Sequence, residues 1–432
     1  MDYFLRLVLF CFLAVPAFGF PLRTGNATTS NVTASNVTPF KIHFSEEKVA
    51  EMLQLVGLGK LPQPTYEGQH SGFGVTDEWL ADAKQTWSNL DWDKKEEELN
   101  RVPQFMTTVE DQDGNDFRIH FAALLSENPT AQPLVLLHGW PGSIIEFFDL
   151  LPELHDSTSE EFHVIVPSLP GYLFSSSPPL SRNFDLGDVA FIVNKLMVNL
   201  GFDAQHGGYI AQGGDIGSLV AKTLALNHEE CKGIHRKSTI DLTIGTDADD
   251  DVTVNMDFSV VTDTNVTSDP VEIQGLERAT EFRANGSAYL REHATRPSTI
   301  GHVLASNPLA LLAWIGEKFL EWPEIPFSTD FILTSVSLWW LTETFPTSIY
   351  AYRETNSPTW DLASLRVDKP LGFSWFPKDI TPVPRSVIAE KGRLIYFKRH
   401  ERVCCYAPEF VDSLSLHMRR AVISPLLNTL KS

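Results

Sequence analysis

The chain has 432 residues, 43% of them hydrophobic, and carries a formal net charge of −21 from 55 acidic against 34 basic side chains. This length and apolar share suit a large globular domain with additions and exclude a disordered chain. The charge argues against nucleic acid or an anionic membrane surface as a partner, because neutralising phosphates requires an excess of cations.

Residues 1–19 place Arg6 before an apolar run from Leu7 to Val15, with small residues at Ala17 and Gly19. This is the pattern of a secretory signal peptide cut near Gly19. An uncleaved membrane anchor is the alternative, although the run is short for a span of about 20 residues, and no other run of about 18 apolar residues follows. Residues 20–38 read as a polar linker, in which Thr, Asn and Ser surround glycosylation sequons at Asn26, Asn31 and Asn36; Asn265 and Asn285 begin two more. A secreted, glycosylated chain is expected. Cys11 lies in the signal, and Cys231 with the adjacent Cys404 and Cys405 makes no disulfide framework.

Residues 39–106 turn to amphipathic helical patterns rich in aromatics. Ser45 caps a first helix, with Glu46 and Glu47 in its first turn, and tryptophans recur at helical spacing from Trp79 to Trp92. Taken singly, these residues read as packing. Residues 107–240 then alternate strand and helix patterns, as a doubly wound sheet requires. Thr107 to Leu125 reads as a hairpin turning at Asp113-Gly114, Leu134 to Leu137 and Val164 to Pro167 as parallel strands, and Leu186 to Leu200 as a helix. Gly208 to Gln212 reads as a strand and Ser218 to Glu229 as the helix beyond it.

Between these last two lies Ala-Gln-Gly-Gly-Asp-Ile-Gly-Ser, residues 211–218, centred on Asp215. Small residues on both sides permit a cramped strand-to-helix turn that holds the central side chain out at the sheet edge. A carboxylate there is nucleophilic without deprotonation and can open a strained carbon centre by in-line displacement, leaving an ester. The plainer reading is a Gly-rich turn with Asp215 as helix N-cap. Helix N–H groups aimed at Asp215 stabilise its charge in either case. Upstream, Leu-Val-Leu-Leu-His-Gly-Trp-Pro-Gly-Ser over residues 134–143 is a buried strand running into a loop, and Phe162 to Tyr172 is another strand running into a Pro/Gly turn.

These three stretches, in this order, resemble the epoxide hydrolases of the α/β-hydrolase superfamily, in particular the microsomal-type branch and its fungal members. The resemblance extends from about Pro39 to Arg402. It includes the pattern Phe73-Gly, Trp79, Trp87, Asp91-Trp92, Leu99-Asn100 and Pro103-Gln-Phe105, which resembles the branch's N-terminal domain, a meander that wraps the core and stabilises the cap. The implied fold is α/β: a doubly wound, mostly parallel sheet with a helical cap insertion. The backbone N–H groups of Trp140 and Ile216 are the implied oxyanion hole.

The βαβ rhythm breaks at about Asp241, so residues 241–355 are expected to form the cap and 356–432 to complete the core. An acidic stretch from Asp241 to Gln274, including Asp247 to Asp251, matches nothing in the family and lacks the spacing of an EF-hand calcium loop. Beyond Glu277 the pattern is helical and aromatic. Tyr289, in Gly-Ser-Ala-Tyr-Leu-Arg-Glu-His, and Tyr352, in Ile-Tyr-Ala-Tyr-Arg-Glu, match the family's two cap tyrosines, with Tyr350 as the neighbour not chosen. Phenols of pKa about 10 stay protonated at neutral pH and can deliver a proton to the alkoxide that ring opening releases.

Phe373-Ser-Trp-Phe-Pro-Lys-Asp379 resembles the loop carrying the acid that orients a catalytic histidine, which assigns that role to Asp379. Gly392 to Lys398 is the last strand. The family then has Gly-Gly-His-Phe-Ala-Ala, whose histidine activates the hydrolytic water. This chain reads His400-Glu-Arg-Val-Cys-Cys-Tyr-Ala-Pro, with Cys405 where the histidine belongs. Three readings stay open: His400 substitutes from the strand end, though strand residues advance about 3.3 Å each and it starts far from the required place; the tail is a misread exon boundary or frameshift; or the loss is real.

The resemblance thus implies an epoxide hydrolase that forms a vicinal diol through an Asp215 ester, needing neither cofactor nor metal, and acting on a small apolar epoxide. No nucleic acid and no obligate membrane partner are expected, and a homodimer is left open. A dehalogenase also uses an Asp nucleophile but typically has a Trp ring N–H after it, which Ile216 cannot supply. The rival from another class is a catalytically inactive secreted binding protein on the same fold.

Overall fold

The computed structural model describes residues 36–126, 128, 130–151, 162–237, 244–245, 255–256, 267–355, 357, 362 and 365–400. The expected signal peptide, Asn26, Asn31, Asn265, the acidic run 247–251, Cys404 and Cys405 lie outside the described residues.

Strand β1 (Thr38–Phe40) is followed by helices α1 (Glu46–Leu58), α2 (Asp77–Trp87) and α3 (Trp92–Leu99). Ser45 caps α1 as its sequence implies, its hydroxyl accepting from the Lys48 N–H. The tryptophans from Trp79 to Trp92 do not share one helix: the chain breaks after Trp87, and Asp91 restarts it by accepting from the Lys94 N–H. These helices reach the cap. The buried Trp87 indole donates to Ser337 Oγ at 2.8 Å, and Lys95 meets Asp330 at 2.7 Å.

Strands β2 (Gln104–Glu110), β3 (Asp116–Leu124), β4 (Gln132–Leu137) and β5 (Phe162–Pro167) come next, then α4 (Leu186–Asn199), β6 (Tyr209–Gly213), α5 (Ile216–Asn227) and β7 (Cys231–Arg236). A separate short pair, β8 (Ile244–Gly245) and β9 (Asn255–Met256), lies within the stretch that breaks the βαβ rhythm. The cap helices are α6 (Pro270–Glu281), α7 (Ala288–Thr295), α8 (Pro297–Ala305), α9 (Pro308–Glu321), α10 (Thr329–Thr342), α11 (Phe345–Ser348) and α12 (Ala351–Thr355). The core closes with β10 (Val367–Trp375), α13 (Arg385–Glu390) and β11 (Gly392–Arg399).

Several boundaries differ from the sequence reading; β2, for example, starts at Gln104 rather than Thr107. Helix α6 begins at Pro270, ahead of Glu277, because Asp269 caps it and proline suits the first turn. Helix α5 begins at Ile216, directly after Asp215, where glycine lets it start against β4. Phe373 to Trp375 belong to the end of β10, whose pairing with β11 continues to Trp375↔Arg399.

The main sheet has the order β1-β2-β3-β5-β4-β6-β7-β10-β11 among the described residues. The β1–β2, β2–β3 and β3–β5 pairs are antiparallel, and the remainder are parallel. Every residue of β6 is buried, and β4 is buried from Pro133 to Leu137, as the uninterrupted apolar runs require. From β4 the chain steps to β5 on one side and to β6 on the other, so a crevice forms beyond the carboxyl ends of β4 and β6. Both motif loops leave the sheet there. Among the described residues, no single helix is long and apolar enough to cross a membrane.

Candidate active site

Asp215 sits between β6 and α5 with φ 52° and ψ −132°, a conformation rare for a residue with a side chain. Such strain costs on the order of 1–3 kcal/mol and persists where the surroundings enforce it. Two glycines do so here. A Cβ on Gly217 would collide with the Leu137 carbonyl, so only glycine lets α5 start against the end of β4; a Cβ on Gly139 would overlap the Asp215 side chain. With that space free, the Trp140 N–H donates to Asp215 Oδ1 at 2.8 Å. The Ile216 N–H bonds the same carboxylate. Asp215 does stand at the N-cap position of α5, as the plainer reading has it, but its side chain makes no cap bond and is held instead by the loop.

The loop that presents Trp140 is itself held from below and above. The Leu169 N–H donates to His138 Nε2 at 3.0 Å, so the proton of the neutral ring is on Nδ1, which donates to the Gly139 carbonyl at 3.0 Å. Burial pushes His138 down to about 4, against a smaller upward pull from that bond, so the ring stays neutral. From the cap, the Trp339 indole donates to the Pro141 carbonyl at 3.1 Å.

Burial pushes Asp215 up to about 6. The Trp140 and Ile216 N–H groups hold it from rising further, while the Asp379 charge raises it and Lys237 lowers it. The carboxylate is therefore mostly ionised at neutral pH, but less firmly than a helix N-terminus alone would make it.

Tyr289 on α7 and Tyr352 on α12 are both buried, with ring centroids 6.0 Å apart and their phenols hydrogen-bonded to each other. Tyr289 stacks on Trp140 at 5.4 Å and 15°, and Tyr352 meets the same indole edge-on at 5.8 Å. Burial, with the nearby Asp215 charge, raises the Tyr289 phenol well above its ordinary value, so it keeps its proton. Tyr350 points elsewhere: its hydroxyl donates to the Pro170 carbonyl at 3.0 Å.

Comparison with known proteins adds an independent line. Residues 37–147 match the family model described as the epoxide hydrolase N terminus, and residues 132–262 match the alpha/beta hydrolase fold. The chain is 41% identical to the solved Aspergillus niger epoxide hydrolase, with a TM-score of 0.76 over 89% of this chain and 96% of that one. The chain belongs to the epoxide hydrolases. It is also 31% identical over 383 residues to epoxide hydrolase 1 of Sus scrofa, spanning 82% of this chain and 81% of that protein. The juvenile hormone epoxide hydrolase of the silkworm Bombyx mori shares 25% identity and a TM-score of 0.74, over 92% of this chain and 95% of its own.

In this epoxide hydrolase Asp379 lies just past the end of β10 and is buried; its Oδ1 accepts from the Thr381 N–H at 3.3 Å, and Arg278 donates to its carbonyl at 2.9 Å. His400, just past β11, is turned against β10. Its Nε2 is 3.1 Å from Ser374 Oγ, its ring stacks on Phe376 at 4.4 Å, and its N–H donates to the Trp375 carbonyl. A hydroxyl already shared with His235 Nε2 at 3.1 Å thus takes up the His400 ring edge. Asn36 and Asn285 are exposed, and Asn285 bonds Glu281 at 2.6 Å.

Sequence reasoning passed over several groups that this epoxide hydrolase gathers at the site. Glu146, in the turn Ile144–Phe147, and Lys237, after β7, both act on Asp215 or are acted on by it. His293 on α7 meets Trp140 at 4.7 Å and Tyr352 at 4.9 Å, with the Trp314 indole donating to its Nε2 at 3.1 Å. The available signal was a polar residue inside an apolar run, such as Glu146 in Ile-Ile-Glu-Phe-Phe. A polar cleft of about 530 Å³ lined by Asn183, Asp185, Asn227, Arg353 and Glu354 contains none of these side chains. Among the described residues, no group of three or more His, Cys, Asp or Glu could hold a metal ion.

Proposed function

We propose that this epoxide hydrolase opens a small apolar epoxide to a vicinal diol through an ester on Asp215. The observation that carries this reading is the 2.8 Å bond from the Trp140 N–H to Asp215 Oδ1, on a carboxylate that also lies within electrostatic reach of Tyr289. One carboxylate oxygen attacks an epoxide carbon in line while Tyr289 and Tyr352 donate to the ring oxygen, one of them giving it a proton. The Trp140 and Ile216 N–H groups then receive the oxyanion of the tetrahedral intermediate when water attacks the ester.

Asp379 serves to orient a general base and to stabilise its cation. The histidine that would fill that role in the family is replaced by Cys405, so ester hydrolysis is the impaired half of the cycle. Exposed Asn36 and Asn285 support glycosylation, together with the sequons at Asn26, Asn31 and Asn265, and hence secretion rather than retention as an anchored endoplasmic reticulum protein. Styrene oxide mixed with the full chain tests the chemistry. Intact-mass and peptide analysis should find one substrate mass on Asp215; a protein that binds styrene oxide yet gains no mass would be the inactive binding protein instead.

A further inference from the structure

Glu146 follows the Trp140 loop directly, its N–H donating to the Ser143 carbonyl at 3.2 Å, and its neighbours Ile144, Ile145 and Phe147 are buried. Its Oε2 is enclosed and has no hydrogen-bond partner among the described residues, while the residue as a whole keeps partial access to solvent. Leaving such an oxygen unpaired costs about 1–3 kcal/mol, which an apolar residue at the same place would not incur. The charged groups acting on it are Lys237 and Asp215, and Asp379 acts in turn on Asp215. The Lys237 stem occupies the space beside Gly214 where a Cβ would stand, so the ammonium chain lies along the elbow backbone.

We propose that Glu146 is the base that activates water against the Asp215 ester, in place of the histidine missing at Cys405; this rests on the ester reading above. Burial first, with the Asp215 charge adding and Lys237 opposing, pushes Glu146 up to about 8. At neutral pH the free enzyme therefore holds Glu146 mainly as the acid, and the Asp215 nucleophile faces no second anion. Alkylation converts Asp215 to a neutral ester and removes the charge that helped keep Glu146 protonated. Burial and Lys237 remain, so the Glu146 proton is given up more readily in the intermediate than in the free enzyme.

The protons balance. In ring opening a phenol proton passes to the alkoxide, and the resulting phenolate is restored by the proton that Glu146 releases. The Glu146 carboxylate then takes a proton from water as the water oxygen bonds to Cγ of Asp215. The bond from Cγ to the alkyl oxygen breaks, and that oxygen leaves as the diol with the proton from Glu146. The Asp215 acid so formed ionises and returns its proton to Glu146.

The test reads the base without any epoxide. In Asp215→Asn protein the same activated water should convert the introduced side-chain amide to the acid, a small mass gain followed by intact-mass spectrometry at neutral pH. Adding Glu146→Gln, which keeps the shape of the side chain, should slow this conversion by about 10²-fold or more, the scale of a lost general base. His400→Gln in the same background should leave it unchanged. Equal conversion with and without Glu146→Gln, conversion lost only with His400→Gln, or no conversion in Asp215→Asn itself would overturn the proposal. With styrene oxide and otherwise unaltered protein, ester decay should rise with pH through a midpoint below about 8 and become pH-independent in Glu146→Gln. A missing styrene oxide adduct on Asp215 would count against the ester reading, while the amide conversion still reports on Glu146. Matching thermal unfolding of the Gln variants separates loss of the base from loss of the fold.

Discussion

Trp140 and Asp215 leave the sheet from adjacent parallel strands, and the Trp140 N–H reaches Asp215 Oδ1 at 2.8 Å because Gly139 has no side chain to keep them apart. In the resting protein the same donors that would hold an oxyanion hold the proposed nucleophile. Asp215→Asn keeps the shape but removes the charge and the nucleophile. Freshly prepared protein should fold normally and form no ester with styrene oxide. Full initial turnover by fresh Asp215→Asn, measured as diol formed, would remove Asp215 from this role.

The two cap tyrosines and their neighbour should separate cleanly. Tyr289→Phe and Tyr352→Phe should each slow adduct formation, and the pair should lose about 10²-fold or more, as expected when positioned proton donors are removed. Tyr350→Phe deletes the donor to the Pro170 carbonyl and should lower stability by about 1–3 kcal/mol with little change in adduct formation. Stopped-flow rates beside denaturant unfolding curves would check both halves. A rate loss confined to Tyr350→Phe would reverse the assignment.

Much of this site could be read from the sequence because its parts are local. The Gly-rich elbow around Asp215, the His-Gly-Trp-Pro loop and the Asp113-Gly114 hairpin each announce their turns within a few residues. What escaped depends on distant partners. The break after Trp87 was hidden because Trp92 continues the apolar spacing, and only packing against the cap shows that α2 and α3 diverge. Tyr350 and Tyr352 are both aromatic residues in one short run, and what distinguishes them is the Pro170 carbonyl on one side and the Trp140 ring on the other. Glu146 and Lys237 are separated by much of the hydrolase core in sequence, so their electrostatic coupling to Asp215 has no local signature.

The acidity of Asp215 makes two measurements move in opposite directions. Adduct formation needs the carboxylate, so its rate should fall as pH drops through about 6. Stability should behave in the contrary sense. The folded-state pKa lies above the ordinary value, so this group's contribution is fully present below about 4 and is lost as pH rises through the folded value, by about 3 kcal/mol at most. Asp215→Asn should therefore gain stability relative to the natural protein at pH above that window and show little gain below it. Adduct rates that stay constant down to acid pH, or a stability difference that does not change with pH, would contradict the raised value.

The sharpest kinetic consequence comes from the unequal state of the two half-reactions. On the mechanism proposed above, ring opening uses the Asp215 carboxylate and the two phenols, while hydrolysis would use the family's histidine, in whose place this sequence has Cys405. Even with Glu146 as the base, the second step lacks the family's histidine and should be the slower one, so the ester should accumulate. Styrene oxide should give a fast phase of at most one equivalent per chain, followed by a slow phase limited by ester hydrolysis. Rapid-quench diol measurements with intact-mass sampling on the same time course would show adduct on Asp215 rising during the first phase and persisting through the second. Cys405→His, placed where the family has its histidine, should shorten the life of the adduct, and Asp379→Asn should then undo that gain because the new imidazole would lose its partner. Rapid steady turnover with no adduct would mean that an efficient base is already in place. Loss of that turnover in Glu146→Gln would assign it to Glu146; loss in His400→Gln would assign it to the strand end.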